Sequence, residues 1–208
     1  MKVLAIAALL TAFCALSRAA SADETPTCKG PLTPSETAFV QSVQKDLTAR
    51  FPRVADAEKA GYVRYTGVDD TGAISYANQQ WTSDPTHPSQ LWYDTDGNLL
   101  GADFSVPRPN QQPRPALWGV QPCRWFEFNG HVHYVVKDPT TGKVTYDKWV
   151  WNNDFVTAGG SLANPSAQTL AKAGLVKSAD DVPTIFEFPT IWDLIVWVKP
   201  HPAGQLYW

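Results

Sequence analysis

Apolar positions recur every four residues at Phe39, Val43 and Leu47, the spacing that stacks side chains on one face of a helix. Just upstream, Thr33-Pro34-Ser35-Glu36 reads as a helix start. Thr33 can cap, Pro34 suits the first helical position, and Glu36 completes a capping box. The pattern predicts a helix that buries one face and ends near Arg50. Residues 54–60 form a second short helical stretch, stopped by Gly61.

From Tyr62 to Tyr146 the pattern changes to short runs rich in aromatic and β-branched residues. Residues 62–65 and 74–81 flank a Gly67–Gly72 loop, and residues 91–93 and 99–106 flank Asp94-Thr95-Asp96-Gly97-Asn98, a hairpin signal. Residues 107–115 hold four prolines and read as an extended surface segment. Residues 124–128, 131–137 and 143–146 follow as strands. Residues 149–158 are expected to be helical, closed by Gly159-Gly160. Asn164-Pro165 is expected to cap a helix through Ala173, ended by Gly174. Residues 184–188 and 192–198 return to strand. The expected class is α+β: an N-terminal helix, then a mainly antiparallel β-meander, with further short helices and C-terminal strands.

The beginning of the chain carries a different signal. Lys2, an apolar run over residues 3–16 and Ala20-Ser21-Ala22 match the charged, apolar and cleavage parts of a secretion signal. Cleavage is expected before Asp23, dividing the chain into a signal peptide (1–22) and a single secreted globular domain (23–208) with a secreted or periplasmic location. No later run is long enough to span a bilayer; the longest, residues 191–198, carries Asp193. Losing Lys2 and Arg18 with the leader takes the formal charge from −3 to −5. That acidic balance, with no basic run, argues against a nucleic-acid partner. Cys28 and Cys123 are the pair left after cleavage, and an oxidising compartment predicts a disulfide between them.

Two features could carry chemistry. His131-Val132-His133 places two imidazoles on one face of a strand, about 6 to 7 Å apart. Two converging imidazoles suit a transition metal such as zinc, provided a third ligand joins them. The other histidines after the leader are His87 and His201, both in proline-flanked loops; His87, within the same meander, is the preferred third ligand. Carboxylate candidates are Glu127, Asp103 and the pair Asp69 and Asp70, and Glu127 is a poor ligand under either reading of Asn129-Gly130. A two-residue hairpin turn sets Phe128 opposite His131 and Phe126 opposite His133, and puts Glu127 on the far face. A strand running straight through leaves Glu127 about 13 Å from His133. The same histidines could equally be satisfied core-edge side chains.

The second feature is tryptophan. All nine lie beyond the leader, and Trp149, Trp151 and Trp92 are candidate platforms for a sugar ring, against the alternative that they pack a sheet core. The usual signatures of hydrolases, zinc proteases, phosphate-binding loops and dithiol redox centres are absent. Asp69-Asp70 lies in a loop of calcium-like composition without the calcium-loop spacing, and reads as a solvated turn. The sequence therefore points first to a small-ligand or metal-ion site on the His131/His133 face. Second comes a polysaccharide-binding or cell-envelope interaction module using exposed tryptophans, and third a hydrolase with a histidine general base.

Overall fold

A computed structural model describes Cys28, residues 30–108 and residues 113–200. The expected signal peptide, His201, Trp208 and part of the proline segment lie outside the described residues. The described chain is α+β, with its strands in two antiparallel sheets.

Helix α1 (Pro34–Arg50) starts as the sequence predicts. The Thr33 backbone N–H donates to Glu36 Oε2 at 2.8 Å, and the Glu36 N–H donates to Thr33 Oγ1 at 3.3 Å, with Pro34 in the first turn. Val40, Val43 and Leu47 are buried, while Phe39 lies at the border and stacks on Trp118, centroids 5.5 Å apart. Each such side chain taken out of water contributes roughly 1.5 to 3 kcal/mol. Glu36 serves a second purpose. Its carboxylate, buried, pairs with the equally buried Arg124, Nε to Oε1 3.1 Å. Burial alone would raise its pKa, but hydrogen bonds from Thr33, Arg124 and Gln121 outweigh this and hold it down at about 2. Beside Arg124, Cys28 and Cys123 form a disulfide with Cα atoms 5.0 Å apart, tying the arm before α1 to the middle of the chain.

Helix α2 (Val54–Lys59) is followed by Gly61 at φ +91°. Strands β1 (Val63–Arg64), β2 (Ile74–Ala77), β3 (Gln90–Tyr93) and β4 (Leu99–Pro107) form the expected meander. The chain then departs from it. Strand β5 (Phe126–Phe128) does not pair with β6 (His131–Lys137). It pairs with β9 (Ile191–Trp197), which lies against β4, giving a six-stranded sheet in the order β1-β2-β3-β4-β9-β5. Strand β6 is the centre of a second sheet, between β7 (Val144–Trp151) and β8 (Thr184–Phe188). Asn129-Gly130 is thus a crossing from one sheet to the other and not a hairpin turn. A Cβ at Gly130 would stand 2.5 Å from Asn152 Nδ2 and 3.1 Å from the Thr190 backbone N, so any larger residue at the crossing must displace the Asn152 side chain and press on Thr190.

Two further expectations need correction. Trp149 and Trp151 end strand β7, and the helix expected there is shorter, α3 (Asn152–Thr157). Both tryptophans have ladder partners on β6, and pairing decides the conformation of a short aromatic run more than local pattern does. Helix α4 (Ala167–Lys172) is capped by Ser166, whose hydroxyl accepts from the Thr169 N–H, and not by Asn164.

Three cores result. One lies between α1 and the six-stranded sheet, around Leu47, Leu91, Phe104 and Leu194. Another lies beneath the three-stranded sheet, where Val132 and Tyr134 meet Phe155 of α3 and Leu170 of α4. The third, smaller, joins the sheets: Tyr65, after β1, and Ala77 meet Phe186 and Phe188 of β8 and Ile191. The candidate site borders this seam.

Candidate functional site

A strand presents alternate residues on one face. On β6 that puts Val132 and Tyr134 against the helices, and His131 and His133 on the opposite face. Ladder register sets their neighbours. His131 lies opposite Trp151 on one side and Phe188 on the other, and His133 lies between Trp149 and Phe186. The face is a grid of two cross-strand rows, Trp151–His131–Phe188 and Trp149–His133–Phe186. The histidine candidates and two of the three tryptophan candidates are therefore one site.

Ring geometry follows the grid. His131 stacks on Phe188 at 5.0 Å and 5°, and His133 on Phe186 at 5.9 Å and 15°. His131 meets Trp149 and Trp151 edge-on, at 5.8 and 6.2 Å. Trp149 and Trp151 are 4.4 Å apart with their planes at 66°, so they form a corner and not a flat platform. Trp149 is 43% exposed, whereas His131 and His133 are 5% and 7% exposed. The grid thus runs from an open indole edge to a covered interior, where Tyr65 packs edge-on against His133 at 4.8 Å.

Both imidazoles are pushed toward the neutral form. Burial lowers the His131 pKa, partly opposed by its hydrogen bond to Asn129. Burial, aided by the charge of His131, lowers His133 to about 3. The ring N–H at Nδ1 of His131 donates to the Asn129 carbonyl at 2.9 Å, which leaves Nε2 of the neutral ring as an acceptor. Nδ1 of His133 is buried without a hydrogen-bond partner. A buried polar atom left unpaired is costly, and such atoms collect where a site has work to do.

The other candidates lie elsewhere. His87 stays in the loop between β2 and β3, its Nδ1 3.0 Å from Asp84 Oδ2 and its side chain about half exposed. Among the described residues no three His, Cys, Asp or Glu side chains gather as a metal ion requires. His87 is thus not brought to the pair as a third ligand. Trp92 sits on the six-stranded sheet and packs on Trp197 at 4.7 Å, apart from the Trp149/Trp151 corner. Glu127 pairs with Arg108 and belongs to the other sheet. Asp69 closes its own turn, accepting from the backbone N–H groups of Thr71 and Ala73 at 2.8 and 2.9 Å.

Residues missed by pattern reading complete the surroundings. Tyr65 is buried and its hydroxyl donates to Gln90. Gln90 faces Asp103 across the ladder, and Ser105, two residues on, donates to Asp193 Oδ1 at 2.8 Å. Phe186 and Phe188 supply the stacking partners. Asp103 is a carboxylate candidate from the sequence; for its neighbour Asp193 the signal is an acid interrupting an apolar strand run, which is either exposed or specially housed. Family models, curated proteins and solved structures were compared with this chain, and none matches.

Proposed function

We propose that this chain binds a small neutral molecule on the histidine–tryptophan face of the three-stranded sheet. The observation that carries the reading is the grid itself, two neutral imidazoles set between an open indole corner and buried phenyl rings. Apolar walls with a few fixed polar atoms are the usual make-up of a small-ligand site. A neutral imidazole offers hydrogen bonds and no charge, so the face suits a molecule with an apolar side and a hydroxyl or amide donor. Because the leader signal and the Cys28–Cys123 disulfide accord with an oxidising compartment, we place this activity outside the cytoplasm. No helix among the described residues is long and apolar enough to cross a membrane.

A second reading, favoured by the exposure of Trp149, is a carbohydrate ligand. One sugar face would stack on Trp149 while Trp151 met its edge. The third reading, a transition metal such as zinc on His131 and His133, calls for a further donor. One titration separates the three. Phenol, a panel of neutral mono- and disaccharides, and zinc chloride are each added to the full-length protein while tryptophan fluorescence is followed. The proposal predicts a saturable response to a neutral organic probe that is lost in Trp149→Ala and His131→Ala. A response confined to the saccharides establishes the second reading. Stoichiometric zinc binding abolished by His133→Ala establishes the third. No saturable response to any probe defeats the proposal.

A further inference from the structure

Behind the histidine face lies a buried polar layer for which ligand binding gives no account. On the side of the six-stranded sheet away from α1, Gln90, Asp103, Ser105 and Asp193 share one face, because β3, β4 and β9 are in register there: Gln90 opposite Asp103, and Ser105 opposite Asp193. Asp103 and Asp193 are therefore diagonal neighbours on adjacent strands. They are 3% and 2% exposed. Tyr65 joins this layer to the other sheet, its hydroxyl on Gln90 and its ring on His133.

We propose that Asp103, Gln90 and Tyr65 form a proton-operated latch between the two sheets: a proton on Asp103 keeps Tyr65 seated against His133, and its loss unseats Tyr65. The geometry supplies the reason. Asp103 Oδ1 is buried with no hydrogen-bond partner. An ionised carboxylate left so would be expensive, whereas a protonated acid has far less to satisfy. Gln90 accepts the Tyr65 hydroxyl on its carbonyl oxygen and turns its amide N–H toward Asp103, so it ties Tyr65 to the acid. The groups around Asp103 and Tyr65 are Gln90 from β3, Ser89 just before it, Ser105 from β4, Asp193 from β9, and His133 with His131 behind it on β6. Asp147 of β7 acts on Tyr65 through its charge. Burial, then the charge of Asp193, push Asp103 well above the usual carboxylate range, with a hydrogen bond from Gln90 opposing them.

The sign of the pH dependence follows. Asp103 has its folded pKa raised above its ordinary 3.8. Its contribution is fully present below that value and is lost as pH rises through the folded pKa. When hydroxide removes the proton as water, Asp103 is left as a buried carboxylate with Oδ1 unpartnered, diagonal to Asp193. The movement that admits water is release of Tyr65, the ring tied to this layer through Gln90. The wall behind His133 goes with it. That last consequence, a looser ligand face on the alkaline side, rests on the ligand reading; the latch itself does not.

The test uses the full chain labelled with ¹³C at the aspartate carboxyls, followed by NMR from about pH 5 to about pH 10. One carboxyl should titrate well above the ordinary aspartate range and vanish from the spectrum in Asp103→Asn. The ring contact between Tyr65 and His133 should be lost through the same midpoint. Asp193→Asn should move that midpoint to lower pH, by about a unit or more, and Asp103→Asn should hold the ring contact at every pH. An Asp103 carboxyl already ionised at about pH 5, or a Tyr65–His133 contact that persists while Asp103 titrates, overturns the latch. The wild-type titration decides the matter even where a variant fails to fold. A titrating latch in a protein that binds none of the probes removes the ligand reading alone, and bound probe without the titration removes the latch alone.

Discussion

His133 combines two costs at one position, an unpartnered buried nitrogen and a ring kept neutral against its usual tendency. Replacing it with phenylalanine removes both and extends the stack on Phe186. His133→Phe should therefore raise the melting temperature by a few degrees, since exchanging an unsatisfied polar group for an apolar one of like shape is neutral to stabilising. It should also abolish binding of the organic probe. The pH dependence gives a second check. His133 has its folded pKa lowered from 6.5 to about 3, so wild-type protein loses stability as pH falls below about 6.5 because the unfolded state takes up the proton first. Thermal melts between about pH 7 and about pH 4 should show a shallower fall for His133→Phe than for wild type. Equal slopes would mean that His133 is not held neutral. Glu36 acts in a lower window. Its folded pKa of about 2 lies below the ordinary 4.5, so its contribution is present above about 4.5 and is lost as pH falls toward 2. Glu36→Gln breaks the buried pair with Arg124 and should cost about 3 to 5 kcal/mol in denaturant melts at neutral pH.

At the scale of elements, the crossing at Gly130 matters most, because it delivers His131 from one sheet to the other. Gly130→Ala sets a methyl group against the Thr190 backbone and the Asn152 side chain. It should cost about 1 to 3 kcal/mol and shift the ring signals of His131, while Gly142→Ala, in the β6–β7 turn with open space around it, should leave those signals in place. The same crossing shows where the sequence could be read and where it could not. The α1 cap, the strands of the first meander and the hairpin at Asp94–Asn98 depend on contacts within a few residues, and each was legible as local pattern. Asn129-Gly130 carries a hairpin signature, yet β5 finds β9 more than sixty positions away in the numbering. No periodicity encodes such a partner. The Trp149–Trp151 run failed as a helix for the same reason, since its conformation is set by His131 and His133 across the ladder.

For the molecule as a whole, the disulfide and the seam between sheets decide how the parts act together. Cys28 and Cys123 close a loop across a sequence separation of 95. On the chain-entropy account such a loop is worth about 4 to 5 kcal/mol. Reduction, or Cys28→Ser with Cys123→Ser, should lower the melting temperature by roughly 8 to 20 °C in a domain of this size, and a change under a degree would show that the bond adds nothing. The histidine pair was visible in the sequence as a spacing, and Trp149 and Trp151 as a composition. That they form one face, with Phe186 and Phe188 behind and Tyr65 over the seam, is a property of sheet register alone. The central claim is that this face binds a neutral molecule through uncharged imidazoles. Long-range ¹H–¹⁵N correlation of the histidine rings at about pH 6, with and without saturating phenol, tests it most directly. The account predicts that His131 and His133 are both neutral, with His131 protonated at Nδ1, and that phenol shifts His131 Nε2 together with the Trp149 indole N–H. Charged rings at that pH, or a Trp149 signal that moves while both histidines stay fixed, would contradict it.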